Sequence, residues 1–311
     1  MLDRASKTFF HLIAGSRVLA QLASRYGMRR SSSFARRFIA GETVAEAIAA
    51  ARDVEAAGCL QTLDYLGESV ATLAEADAAT RAYQGIIDAI AASGIGRNLS
   101  LKLTQLGLDV DRASAVDNLR KILARAEGFF VRIDMESSRY TDVTMDIFET
   151  LWQQGYHQIG VVLQADLYRT EQDLRRVLAL GARVRLVKGA YKEPGTIAYK
   201  KKSDVDLAYA RLMKTLLIEG NYPALATHDP ALMEQAKTIA RDNGIATDRF
   251  EFQMLYGIRR DLQIALAKEG YRVRIYIPFG RQWFPYFMRR LGERPANVGF
   301  VLRGIFREGT S

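Results

Sequence analysis

One alternation runs through most of this chain and limits the folds open to it. Eight times, a helix-prone stretch closes at a glycine and an apolar, β-prone run follows at once or within a few residues. The glycines are Gly58, Gly96, Gly128, Gly155, Gly181, Gly220, Gly244 and Gly270. Glycine takes the left-handed conformation that ends helices without steric cost. The runs are CLQTLDYL, NLSLKL, FFVRIDM, IGVVLQA, RVRLVKG, PALATH, FEFQML and YRVRIYIP. Several are rich in Val, Ile, Leu, Phe and Tyr, as strands buried on both faces are. Successive glycines lie 24 to 39 residues apart, the length of one βα unit. Eight such units over about 250 residues make a (β/α)8 barrel the expected fold. A doubly wound open sheet is the alternative. It is weakened because GIGRNL has Leu99 where a third glycine belongs and no P-loop is present.

The first strand starts near Cys59, so residues 1–57 read as a helical arm and 58–311 as the barrel. Within the arm, Thr43 and Glu46 form a capping box for a helix that closes at Gly58. RRSSSFARR reads as a loop between helices. The first thirty residues read as an amphipathic helix that packs on the domain or touches a membrane surface. No run of about 18 uncharged apolar residues occurs, so no transmembrane helix is expected. The single cysteine, Cys59, excludes an internal disulfide framework. His11, His157 and His228 have no metal-ligand spacing. A net charge of +9 raises nucleic acid as a partner. The basic residues are scattered, however, and the one dense run, Lys200 to Lys202, reads as a solvated face, so no nucleic acid is expected.

Barrel chemistry gathers where strands end. The polar residues at those ends are Asp64 and then Glu68, Lys102, Asp134 and then Glu136, Gln164, Arg185, Lys188 and then Tyr191, Thr227 and His228, Gln253, and Tyr276. Lys102 and Asp134 either neutralise each other inside the barrel or serve a ligand. Asp134 could also cap the next helix. Asp229 and Pro230 read as N-cap and first turn of a helix, whose free N–H groups make THDP a candidate phosphate grip. After the eighth strand comes WFPYFMRRLGERPAN, with Tyr286, Arg289, Arg290 and Glu293 along one side of a helix. The paired arginines either grip an anion or are neutralised by Glu293. No reactive thiol or serine–histidine arrangement is present, which points to a cofactor for the hard step. A Schiff-base lysine at Lys102 or Lys188 is the competing enzyme chemistry.

LDYLGE, RLVKGAY, ATHDP, EFQMLYG and YIPFGRQWFPYFMRRLGERPAN, in this order at strand ends, resemble the proline dehydrogenase family, most of all its short monofunctional bacterial form. The resemblance implies a distorted (β/α)8 barrel whose last helix lies over the mouth. It implies FAD-dependent oxidation of L-proline to Δ1-pyrroline-5-carboxylate by hydride transfer from proline C5 to flavin N5. Electrons then pass to a quinone, and a separate pyrroline-5-carboxylate dehydrogenase takes the product. Arg289, Arg290 and Lys102 would bind the carboxylate. Tyr276, Tyr286, Leu186 and Tyr191 would wall the ring, and Asp134 would organise the site beside Lys102. Arg185 would lie near flavin N5, and Gln164 would bond the isoalloxazine. Met135, Val187, Lys188, Gly189 and Ala190 would contact FAD, with Thr227 and His228 at its pyrophosphate and AMP portion. Glu68 would pair with Arg289 as a gate. Members with THN carry asparagine where this chain has Asp229. A cytoplasmic enzyme with peripheral contact at the inner membrane is implied.

Overall fold

The computed structural model describes residues 34–292. Eight parallel strands close into a barrel in chain order. They are β1 (Leu60–Tyr65), β2 (Asn98–Leu101), β3 (Phe130–Ile133), β4 (Ile159–Gln164), β5 (Arg183–Val187), β6 (Ala224–Ala226), β7 (Glu251–Leu255) and β8 (Arg272–Phe279). β8 returns to β1 with Thr62 opposite Tyr276, which closes the sheet. Each expected run contains its strand or, for β8, all but its last residue.

Helix α1 (Val44–Ala56) precedes β1. The helices after the strands are α2 (Leu73–Ser93), α3 (Arg112–Arg125), α4 (Thr141–Gln153), α5 (Thr170–Ala179), α6 (Lys202–Glu219), α7 (Pro230–Asp242), α8 (Arg260–Lys268) and α9 (Trp283–Gly292). The expected capping box at Thr43 and Glu46 is formed. α1 packs on β1 and β8 and buries Ala47, Ile48, Ala50 and Ala51 in the core shared with the barrel. In RRSSSFARR, Phe34–Arg37 is a 3-10 turn rather than a loop. Its first residues, the N-terminal helix and Glu293 lie outside the described residues.

Six of the eight glycines take positive φ as expected. Two differ. The first barrel helix is closed by Gly94 (φ 78), not Gly96. Gly220 leaves α6 in an extended conformation (φ −83). A Cβ at Gly220 would lie 2.4 Å from the carbonyl oxygen of Leu216, so close backbone approach explains that glycine.

Alternate strand residues point to the helices and to the barrel interior. The helix-facing set, including Leu63, Leu99, Val131, Val161, Leu186, Leu225, Phe252 and Ile275, is buried to within 1% of completely. Burying each such side chain contributes about 1.5–3 kcal/mol. The inward set is mostly polar. Arg185 on β5 reaches Ser100 on β2, Asp134 after β3 and Gln253 on β7. α9 departs from the outer ring of a regular barrel. Trp283, Phe287 and Met288 form a second small core with Ala35, Phe38, Ile39 and Leu66, and the Trp283 indole donates to Glu42 at 3.1 Å. This docking places the polar side of α9 at the barrel mouth.

Candidate active site

A cavity of about 780 Å³ opens at the strand ends, lined by residues that follow β2 to β8 and by α9. It contains Lys102, Asp134, Met135, Gln164, Arg185, Val187, Lys188, Gly189, Ala190, Tyr191, Thr227, His228, Tyr276, Tyr286, Arg289 and Arg290. The structure thus brings together all but two of the site residues expected from sequence.

Leu186 is the correction. It is completely buried in the main core, because strand alternation turns it toward the helices while Arg185 and Val187 line the cavity. Its carbonyl accepts a hydrogen bond from Tyr209 on α6 at 3.3 Å. The cavity leucine is Leu255, at the end of β7. Glu68 is the other residue off the lining, and it touches the site through Arg289, with contacts of 2.9 and 3.3 Å. Burial opposes ionisation of both partners. The Arg289 charge outweighs it and holds the Glu68 carboxyl below its usual range, and Glu68 raises Arg289 in turn.

Asp134 neither caps the next helix nor pairs directly with Lys102. Its carboxylate accepts from Arg185 Nη1 at 2.6 Å and from the Tyr276 hydroxyl at 2.7 Å. Lys102 instead contacts Asp64 at 3.4 Å. Burial pushes Asp64 up, and among the described residues its second oxygen has no hydrogen-bond partner. Burial also acts to lower Lys102, yet Asp64 and Asp134 outweigh it and raise this ammonium. A Schiff-base nucleophile needs the opposite shift, so the geometry disfavours Lys102 in that role. Burial raises the Tyr191 and Tyr276 phenols, so both stay neutral donors.

The cavity's other end is built by β5, β6 and the start of α7. Lys188 bridges Asp206 at 2.6 Å and Asp229 at 3.1 Å. Asp229 caps α7 by accepting from the Ala231 N–H at 3.1 Å, and its own N–H donates to Thr227 Oγ1. His228 Nε2 accepts from the Leu255 N–H at 2.9 Å, which fixes the ring. The helix start expected as a phosphate grip therefore carries a carboxylate of its own, offset by Lys188 and Lys202. Gly189 (φ 112) has no room for a side chain, because a Cβ would sit 2.1 Å from the Asp166 carboxyl. Between the two ends, Met135, Val162, Val187, Ala226 and Leu255 supply apolar wall. Of these, Val162, Ala226 and Leu255 were not anticipated. Strand alternation was the signal available for Val162, two residues before Gln164, and for Leu255, two residues after Gln253; Ala226, next to Thr227, had none.

A proline dehydrogenase family profile matches residues 47–303. The chain belongs to the proline dehydrogenase family. Proline dehydrogenase 1 of Bacillus subtilis (strain 168) is 42% identical over 301 residues, covering 96% of this chain and 98% of that protein. The proline dehydrogenase of Deinococcus radiodurans is 40% identical over 313 residues, covering 99% and 100%. The crystal structure of proline utilization A from Bdellovibrio bacteriovorus superposes with a TM-score of 0.82 at 24% identity. It covers 100% of this chain and 39% of that longer one, and it bears on the fold alone. As a proline dehydrogenase family member, the chain is an oxidoreductase of proline catabolism. Among its described residues no helix is long and apolar enough to cross a membrane.

Proposed function

We propose that the chain oxidises L-proline to Δ1-pyrroline-5-carboxylate with FAD as its resident cofactor. One observation carries the reading. A single cavity is lined by the cations Lys102, Arg289 and Arg290, by an apolar wall, and by Lys188, Thr227 and His228. A small zwitterion and an extended dinucleotide together need those features. The residues present fit FAD. Met135, Val162, Val187 and Ala226 suit a flat ring, Gln164 and Arg185 offer donors to its polar edge, and Gly189 and Ala190 admit close backbone approach. Lys188, Thr227 and His228 suit the pyrophosphate and AMP portion. When bound, FAD would supply the hydride acceptor for oxidation at proline C5.

The chain's own contribution is orientation. Arg289, Arg290 and Lys102 bind the carboxylate, two of them as planar forks. Tyr191, Tyr276, Tyr286 and Leu255 wall the ring. Asp134 holds Arg185 and Tyr276 in place, so their donors need no reorganisation when substrate arrives. Glu68 closes over the site through Arg289. The proline amine enters as the free base, its proton going to solvent. Electrons leave to a quinone, and a separate dehydrogenase consumes the pyrroline. Residues 58–311 form the catalytic barrel and 1–57 an arm, in a cytoplasmic protein with peripheral membrane contact.

The purified protein should be yellow, and L-proline should bleach it without oxygen. A colourless preparation that stays inactive after FAD is added sinks the reading.

A further inference from the structure

The segment carrying Glu68 is held at every step. Leu66 donates its N–H to the Phe279 carbonyl at 2.8 Å. A Cβ on Gly67 would meet the Gln105 amide at 2.4 Å, and Tyr83 pins that amide at 2.8 Å. Ser69, the residue after Glu68, has φ 53, a left-handed conformation that costs a serine about 1 kcal/mol or more. Its N–H donates to Thr104 Oγ1 at 3.1 Å, and the Val70 N–H donates to the Thr104 carbonyl at 3.3 Å. Thr104 is completely buried and is held in turn by Glu136. Its hydroxyl donates to Glu136 Oε1 at 2.6 Å and its N–H to Oε2 at 3.3 Å. The Glu136 carbonyl accepts from Gln164, a cavity residue, at 3.0 Å.

Glu136 does not line the cavity, although it follows Asp134 and Met135, which do. Its carboxyl is spent on Thr104, within electrostatic reach of Lys102 and Glu68. A buried carboxylate committed to one residue is costly unless it fixes something. What it fixes is the strained turn beside Glu68.

We infer that Thr104 and Glu136 form a latch that sets Glu68 against Arg289, making both of them positioning residues for substrate capture. The inference rests on Arg289 binding the substrate carboxylate. With the latch intact, the turn at Ser69 holds Glu68 where it can pair with Arg289. Without the Thr104 hydroxyl, Ser69 relaxes from its left-handed conformation and the carboxylate swings off the mouth.

The test uses full-length, flavin-loaded enzyme carrying T104V, T104S, E68Q or E136Q. T104V should raise the proline KM roughly fivefold, the effect of one hydrogen bond, with kcat little changed. T104S keeps the hydroxyl and should restore the wild-type KM. Hydrogen exchange of the peptide over residues 66–72 should be roughly tenfold faster in T104V and normal in T104S. Unchanged exchange in T104V overturns the latch outright. Faster exchange with unchanged KM, while E68Q does raise KM, overturns its part in capture. If E68Q leaves KM unchanged, the carboxylate reading of Arg289 fails instead, and the exchange arm still judges the latch. Should T104V not fold, E136Q, which weakens the acceptor of the Thr104 hydroxyl, must give the same directions in both readouts.

Discussion

Glu136 makes the stability of this fold depend on pH in a direction opposite to that of most carboxylates. It is 5% exposed, and burial pushes its carboxyl from 4.5 up to about 7, against the Thr104 hydrogen bonds and the Lys102 charge that favour ionisation. A carboxyl with a raised folded pKa keeps a proton that the unfolded chain has already released. Its contribution is complete below 4.5 and is lost as pH rises to about 7. Each pH unit in that window removes about 1.4 kcal/mol, so the full loss is about 3 kcal/mol. Gln at position 136 does not titrate. The expected result is therefore a stability difference between E136Q and wild type that moves in favour of E136Q by about 2–3 kcal/mol between pH 5 and pH 8. Urea unfolding of both proteins at pH 5, 6, 7 and 8 measures it. Constant terms, such as the altered hydrogen bond to Thr104, cancel in the slope. So does Asp166, raised to about 6 by burial and Glu193, because both proteins contain it. Parallel pH profiles for the two proteins would refute the argument.

Three further outcomes test the site. R290E should raise the proline KM roughly a hundredfold, the cost of losing a charged hydrogen-bonding partner, with flavin still bound; efficient turnover at low proline would show that the carboxylate lies elsewhere. L186A should lower unfolding free energy by about 2–5 kcal/mol and leave KM alone, whereas L255A should raise KM with the smaller stability loss, so steady-state kinetics beside urea melts separate the two leucines. D134A leaves Arg185 buried without its carboxylate, and it should destabilise the fold by about 3–5 kcal/mol and lower kcat more than it changes KM; a wild-type kcat would remove Asp134 from the site's organisation.

The strands were legible because parallel barrel strands are buried on both faces and read as unbroken apolar runs. The strand-end polar residues were legible for the same reason, since Lys102, Asp134, Gln164 and Arg185 stand out against such runs. Partner choice was not. Lys102 contacts Asp64 on one side while Asp134 is taken by Arg185 from across the barrel, and only the closed geometry decides between neighbours. Leu186 and Leu255 show a different limit. The resemblance put Leu186 in the ring wall, but it directly follows the cavity residue Arg185, whereas Leu255 lies two residues after Gln253, and alternation turns the two to opposite faces. Gly94 and Gly96 lie two residues apart, and the chain's first choice between them is made by where α2 can still bond. Glu251, Arg274 and Arg132 went unread because Glu251 starts its strand and the other two lie within theirs, below the level where chemistry is expected.

Those deeper charges set the construction of the cavity floor apart from that of its mouth. Arg185 is gripped by Asp134, Ser100 and Gln253. The Gln253 amide is oriented by Glu251 at 2.5 Å, and Glu251 is held by Arg274, which donates onward to the Gln61 carbonyl at 2.8 Å. Arg132 donates to the carbonyls of Val161 and Arg183, in space that exists because residue 160 is glycine; a Cβ there would lie 2.6 Å from the guanidinium. Buried ion pairs contribute little net stability compared with apolar packing. Their value here is that each guanidinium has a single orientation before any ligand arrives. The mouth is built otherwise. Arg289 and Arg290 ride on α9, which docks through its own small cluster apart from the barrel core, and Glu68 rides on a loop. α9 packs on Phe38, Ile39 and Leu66 rather than on the main barrel core. The floor charges are thus tied to one another across the barrel, whereas the mouth charges sit on a helix and a loop that pack on a separate cluster.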